Sequence, residues 1–525
     1  MSGQKQYVIA HDLGTSANKA VLVDEDGKIH DFVKTEYEVL YPKPGYAEQD
    51  PKMWWKAIST TTKQLLEKTK LDQEQVAAVT FSSQMQGLLP INKDHEPLMN
   101  SMIWLDQRGA EVLKQLWTGI KVMGYSPLKI WRFLRITGGS PGLAGKDQIP
   151  KIHWLQKNHP EIYEETYKFL DTKDYVLYRL TGEIATSTDL AYVWWLMDTR
   201  KNKNVWSKGL CKMVKVDINK LPPLKRPTDI IGTGVTEEAA QETGLKPGTP
   251  VVCGGGDATC AAVGSGNVLD NELHIYLGTS GWVAGHVEER RVDIGHYTGC
   301  IGSAFPERYY LVYGHQEVGA GALEWMKNKV LYWTDELEER EQVNRIYQIF
   351  DKLVSQAEPG SGGMMFTPWL FGERCPLDDD TIRGSLVNAG LNHDRRHLLR
   401  AVFEGIAFNL RWALETVENL YQPVNSVNII GGGAQSDVWC QIFADITKHR
   451  INRVRDPQET GAIGAAMLAW LALKKVSTVE EIKQKIQIDR EFIPNTSLAD
   501  LYDSRFAMFQ DLYKRTKTWY AKMNK

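Results

Sequence analysis

The apolar residues of this chain gather in short runs punctuated by glycine turns, and one such unit occurs twice. Tyr7-Val8-Ile9-Ala10 reads as a buried strand that runs into Asp12-Leu13-Gly14-Thr15-Ser16. Lys19-Ala20-Val21-Leu22-Val23 then alternates as a second strand, and Asp26-Gly27 supplies a hairpin turn. Near mid-chain, His274-Ile275-Tyr276 leads into Leu277-Gly278-Thr279-Ser280-Gly281 and then Trp282-Val283-Ala284. The tetrapeptide Leu-Gly-Thr-Ser thus starts at positions 13 and 277, about half a chain apart. Its return within the same strand–turn–strand context predicts a duplicated domain.

Two further glycine turns follow apolar runs. Val427-Asn428-Ile429-Ile430 precedes Gly431-Gly432-Gly433-Ala434, after which residues 436–444 carry a helical pattern with Ser436 as N-cap. Val251-Val252-Cys253 reads as a strand that ends in Gly254-Gly255-Gly256-Asp257, followed by a stretch of small residues to Gly266. Glycine lets backbone N–H groups converge on an anion, and threonine and serine hydroxyls add donors. Two such turns across a cleft would hold a polyphosphate, and a strand–glycine–helix junction makes a nucleotide platform. An acidic residue at a strand tip beside close-packed backbone, as Asp257 is, suits a general base; helix capping is the plainer reading of the same residue. Walker-type and dinucleotide-binding signatures are absent, the nearest approach being residues 139–146 with the wrong spacing.

Composition narrows the class. With 525 residues, 42% hydrophobic and 24% charged, the chain is globular and too long for one core. A net charge of -3 gives no general attraction to nucleic acid or anionic membrane, and no apolar run is long enough to span a bilayer. Met1 to Gln6 lacks a secretory pattern, and the six cysteines form no Cys-x-x-Cys pair, which excludes a disulfide framework or zinc site and predicts a cytoplasmic protein.

Read in order, these segments resemble the FGGY carbohydrate kinases. The resemblance runs from Val8 to about Trp470. It includes residues 11–16, Glu48-Gln49-Asp50-Pro51, Ser83-Gln84-Met85-Gln86-Gly87, Trp104-Leu105-Asp106-Gln107-Arg108 and Lys173-Asp174-Tyr175. It continues through 254–257, 277–281, 366–374, 400–407 and 431–434, and closes with Glu459-Thr460-Gly461-Ala462. It implies an α/β fold of two actin-like (ribonuclease H-like) domains with an interdomain active-site cleft: residues 1–266 carrying the sugar and 267–525 the nucleotide. It further implies ATP and Mg2+, with Asp257 as general base, Asp12 near the metal and Thr15 on phosphate. Gly278 and Thr279 would bind phosphate from the second domain, and Gly432, Gly433, Ala434 and Asp437 would lie against adenosine. Sugar contacts are implied at Met85, Gln86, Trp104, Asp106 and Asp257. A homodimer is common among such relatives.

Within the family the chain most resembles xylulokinases, which implies a ketopentose such as D-xylulose as acceptor. Two positions depart from that pattern: Gln86 stands for His, and Ala258 for the Asn after the catalytic aspartate. Sites select through the hydroxyls they pair with, so ribulose, gluconate, glycerol or another polyol stay open as acceptors, as does a non-catalytic sensor. An actin-like ATPase is opposed by the sugar-side segments. His11 is expected to point away from the cleft, Trp54, Trp55, Trp194 and Trp195 to be packing residues, Asp378 to Asp380 a solvated loop, and the chain beyond Leu473 surface helix.

Overall fold

The computed structural model describes residues 5–117, 121, 124–331 and 345–524, so most of the segment Met1 to Gln6 lies outside it. The alternating run after Ser16 forms strand Ala17–Val23, antiparallel to Tyr7–Leu13, and Gly27 turns the chain at φ 73°. Together with Ile29–Glu36, Val76–Ser83 and the two-residue strand Gly255–Gly256 they make a five-stranded sheet. An antiparallel meander is followed in it by two parallel strands. The second sheet repeats that plan with Tyr310–Gln316, Gly281–Val287 and Glu272–Leu277 as meander, and Ser426–Ile430 and Arg450–Val454 as parallel strands. Gly299–Gly302 and Ile488–Phe492 extend its edges to seven strands.

Helices cover both sheets. Pro51–Thr69 begins with Pro at its first turn, and the Asp50 carboxylate accepts from Lys52 N–H at 2.9 Å, so its start is fixed by both capping chemistry and a preset φ. Its Trp54, Ile58 and Leu65 are buried on the first sheet; His11, also buried, contacts the Asn18 amide and Thr62 hydroxyl, and burial lowers its pKa to about 3. The 26-residue helix Arg395–Leu420 backs the second sheet, and Ala499–Met523 packs Tyr502, Phe506 and Phe509 into the same core. The chain beyond Leu473 is therefore only half a surface element.

A third core joins the two halves. Val8, Ala10 and Val21 of the first sheet share it with Trp282, Ile430 and the inner face of helix Thr460–Ala472. That helix meets Asp257–Gly264 backbone to backbone at two glycines: a Cβ on Gly264 would stand 1.9 Å from Thr460 O, and one on Gly464 1.9 Å from Cys260 O. Val251 and Val252 make only isolated bridges rather than the expected strand, because the chain breaks its extended path at Gly254, φ 67°. Among the described residues no helix is long and apolar enough to cross a membrane, and all six cysteines are free and buried.

Candidate active site

Asp257, Asp12 and the 278–279 turn all stand at the carboxyl ends of strands, where parallel α/β sheets leave a crevice. Gly255–Gly256 pairs in parallel with Ser82 and Ser83, and the chain turns directly into helix Asp257–Gly264. Glycine is required on this approach. A Cβ at Gly254 would fall 2.1 Å from Phe81 O, and one at Gly256 2.5 Å from the Met85 sulfur. Asp257 begins the helix, its Oδ1 accepting from Ala258 N–H at 2.7 Å, and its side chain is open to solvent at the cleft floor. Protein nonetheless crowds it, and this desolvation, reinforced by the negative charges of Asp12 and Asp189, pushes its carboxyl up to about 7.

A buried polar layer holds this corner from behind. Asp189, fully buried, accepts from Gly256 N–H at 2.7 Å, one residue before Asp257. Lys173 and Asp174 pair at 3.5 Å with no exposure, and the Lys173 ammonium lies 3.7 Å from the Cys253 sulfur. A charge this deep is tolerated only when paired. Nothing in the local sequence of Thr188-Asp189-Leu190 marks Asp189 for this position.

Asp12 faces Lys19 across the strand pair, and Lys19 donates to both oxygens of Glu459 at 2.7 Å. Burial raises the Asp12 pKa, opposed by the Ser82 hydroxyl and the Lys19 charge. The Thr15 carbonyl accepts from the Gln49 amide at 2.6 Å, and its hydroxyl oxygen accepts from Trp104 Nε1 at 2.9 Å. Thr15 and Trp104 therefore meet, linking the phosphate-side and sugar-side expectations.

Gln86 adopts a left-handed backbone, φ 67°, and its amide nitrogen donates to Asp147 Oδ1 at 3.2 Å. Trp195 Nε1 donates to the same oxygen at 2.8 Å and Gly142 N–H to the other at 2.8 Å. Trp195 is thus part of the site's framework, and Trp54, buried as a packing residue, also donates to the Gln49 Oε1 at 3.1 Å; Trp55 and Trp194 are buried packing residues as expected. The buried Lys151 donates to the carbonyls of Gln86 at 2.9 Å and Ile103 at 2.8 Å, and burial lowers its pKa to about 8. Asp106 does not reach the cleft. It is fully buried, accepting from Ala47 N–H at 2.8 Å and Arg108 Nε at 2.9 Å, while Arg108 also binds Glu48 at 2.6 Å. Its geometry anchors the segment that presents Trp104.

Across the cleft, Thr279 is exposed and its turn is held by backbone. Gly319 N–H donates to Thr279 O at 2.9 Å and Ala320 N–H to Gly278 O at 2.7 Å. A Cβ on Gly278 would lie 2.3 Å from the Tyr276 ring, so only glycine fits. Gly431, φ 89°, packs its α-carbon on the Leu277 backbone, which sets residues 432–434 beside the 278–279 turn. Asp437 starts helix Asp437–Thr447, but its carboxylate is occupied by Arg453 at 2.6 Å and by Arg490.

The site's arrangement agrees with known proteins. The N-terminal domain model of the FGGY family of carbohydrate kinases matches residues 7–264, and its C-terminal domain model matches residues 273–473. Xylulose kinase of Bacillus subtilis is 31% identical over 514 residues, 98% of this chain and 97% of that protein. Two Lactobacillus acidophilus crystal structures, a gluconate kinase and a ligand-bound xylulose kinase, each superpose with a TM-score of 0.86 at 28% identity, covering 99% of this chain and 100% of theirs. With both domain models in sequence and the fold matched end to end, the chain belongs to the FGGY family and is an ATP-dependent carbohydrate kinase of two actin-like α/β domains.

Proposed function

We propose that this kinase transfers the γ-phosphoryl group of Mg-ATP to a hydroxyl of a ketopentose such as D-xylulose, with Asp257 as general base. The observation that carries the assignment is Asp257 itself: a carboxylate at the cleft floor, open to an acceptor, with its pKa raised to about 7 by burial and two acidic neighbours. A base tuned near neutrality takes a hydroxyl proton most effectively. The Thr279 hydroxyl and amide would receive the phosphate chain, with Gly278 allowing close approach while its own N–H donates to Ser280 O at 3.1 Å, and with residues 432–434 against the nucleoside. The loose transition state of phosphoryl transfer needs positioning and charge neutralisation above all.

Among the described residues no group of three or more His, Cys, Asp or Glu forms a closed cation cage. That suits Mg2+, which keeps waters and phosphate oxygens and needs only one or two carboxylates. Asp12 fits as that carboxylate, and the ion when bound neutralises charge on the transferring group. Lys19 and Glu459, paired beside it, balance one another and leave Asp12 as the local negative charge. A cytoplasmic setting agrees with six unpaired thiols.

The test is ADP release with Mg-ATP over D-xylulose, D-ribulose, glycerol and gluconate. One ketopentose stimulating far above the rest supports the assignment. A wholly different preferred acceptor, or no stimulation by any, defeats it.

A further inference from the structure

Lys146 sits where the two halves of the molecule face each other, and it is nearly buried at 7% exposure. Its ammonium lies 6.0 Å from the Trp104 ring, on the sugar side, and 5.7 Å from the Phe371 ring, contributed by the second half. Its nearest carboxylate is Glu317 at 4.0 Å, and among the described residues no acceptor stands within hydrogen-bonding distance. A primary ammonium carries three donors; the Lys146 stem is buried, but its nitrogen is not among the fully enclosed unpartnered atoms, so those donors stay within reach of a ligand. Burial and the neighbouring Arg374 charge accordingly lower its pKa.

The route from Asp257 to Lys146 is continuous. Gly256 abuts Met85, Gln86 follows and donates to Asp147, and Lys146 precedes Asp147. Because Asp147 accepts from the Gln86 amide nitrogen, the carbonyl oxygen of that amide is its free end. One acceptor atom and one multiply donating ammonium thereby belong to the segments that flank Asp147, linked to the Asp257 corner through Met85. Charge in this region balances. Arg374 is paired with Glu317 at 2.5 Å, and Lys146 faces Glu317 and Asp147. Lys151 gives its donors to two carbonyls and sets its charge against Asp106, and burial drives His315 to about 3, leaving it neutral. Glu373, pushed up to about 8 by burial, adds no full charge near neutrality. An anionic acceptor would meet Glu317 and Asp147 without a surplus cation, whereas a neutral one only needs a donor.

Resting on the kinase reading above, we propose that Lys146 is a specificity-determining residue of the acceptor site. Its ammonium donates to a hydroxyl or carbonyl oxygen of a neutral polyhydroxy acceptor, at the end remote from the hydroxyl facing Asp257. The loop after helix Pro127–Thr137, running to Gln148–Asn158, is then the element that selects the acceptor.

The test compares wild-type full-length protein with Lys146→Met and Lys146→Arg, by ADP release and by acceptor binding followed through tryptophan fluorescence. Xylulose, ribulose, glycerol and gluconate are the ligands. The expected result is a neutral acceptor preferred by wild type, its KM raised about 10- to 100-fold in Lys146→Met, with KM for ATP unchanged and partial recovery in Lys146→Arg. Thermal unfolding checks that both variants are folded. Gluconate as best wild-type acceptor, or an unaltered acceptor KM in Lys146→Met, overturns the inference. Acceptor binding without turnover would sink the kinase reading alone, and the binding constants would then decide on Lys146: a weakened constant in Lys146→Met sustains it and an equal one removes it. No binding by wild type to any of the four overturns both.

Discussion

The two Leu-Gly-Thr-Ser turns are identical in sequence and are put to different use. In the first, Leu13 pairs with Asn18, five residues on; in the second, Leu277 pairs with Gly281, four residues on. The Thr15 hydroxyl is taken by Trp104 and its carbonyl by Gln49, whereas Thr279 leaves its side chain exposed and engages only its carbonyl, with Gly319 and Gly321. Gly14 has nothing nearer its missing Cβ than Ala17 O at 3.5 Å, but Gly278 has the Tyr276 ring at 2.3 Å. A tetrapeptide can therefore fix the turn, while tertiary neighbours decide which of its atoms face a ligand. One turn is tied to Trp104 and Gln49, and the other leaves its threonine hydroxyl exposed.

The largest expected effect tests the corner both turns serve. Asp257→Asn should cut acceptor-dependent ADP release by about 10²- to 10⁴-fold with ATP binding retained, measured by steady-state kinetics and calorimetry. Near-normal turnover in a folded variant would remove Asp257 as base. Next, the threonines should separate. Thr279→Val is expected to raise KM for ATP about tenfold. Thr15→Val strands the Trp104 N–H and should move the acceptor KM as well; equal effects on both substrates from both changes would erase the distinction. The glycines should differ in stability. Gly278→Ala forces a Cβ against Tyr276, itself stacked on Trp282 at 3.7 Å, and should cost about 1–3 kcal/mol in denaturant unfolding. Gly14→Ala should stay within about 0.5 kcal/mol.

The smallest effect is a shift in pH dependence. The base works deprotonated, so kcat/KM should fall as pH drops through about 7, the value to which Asp257 is raised. Asp189→Asn keeps an acceptor for Gly256 N–H but removes one of the negative charges that raise the Asp257 pKa. The acid limb of its profile should therefore move to lower pH; an unmoved limb would mean that Asp189 acts on the backbone alone.

Much of this was legible from short-range patterns. Strand–turn–strand units announce themselves within ten residues, and Asp257 stood out because a strand-tip acid follows three glycines. The buried supports were not legible. Asp189, Asp147 and Lys173 come from segments far apart in sequence, and a buried polar residue has no periodic signature until its partner is known. Trp195 read as packing because an indole N–H gives no sign of its acceptor. Asp106 and Asp437 drew attention as acids in family segments, yet each is occupied by arginine, a pairing with residues at 108, 453 and 490 that spacing alone does not reveal.

The close crossing of helices Asp257–Gly264 and Thr460–Ala472 has a mechanical meaning. Where two backbones meet at glycines there is little compressible layer, so we expect the cleft to breathe by rotation about this bearing and not by sliding through it. Asp257 opens one of these helices, and Glu459 and Gly461, beside Lys19 and Asp12, open the other. Asp257 and Asp12 then ride close to the axle, where displacement is least. Such a hinge could admit and release substrates without moving Asp257 relative to Asp12.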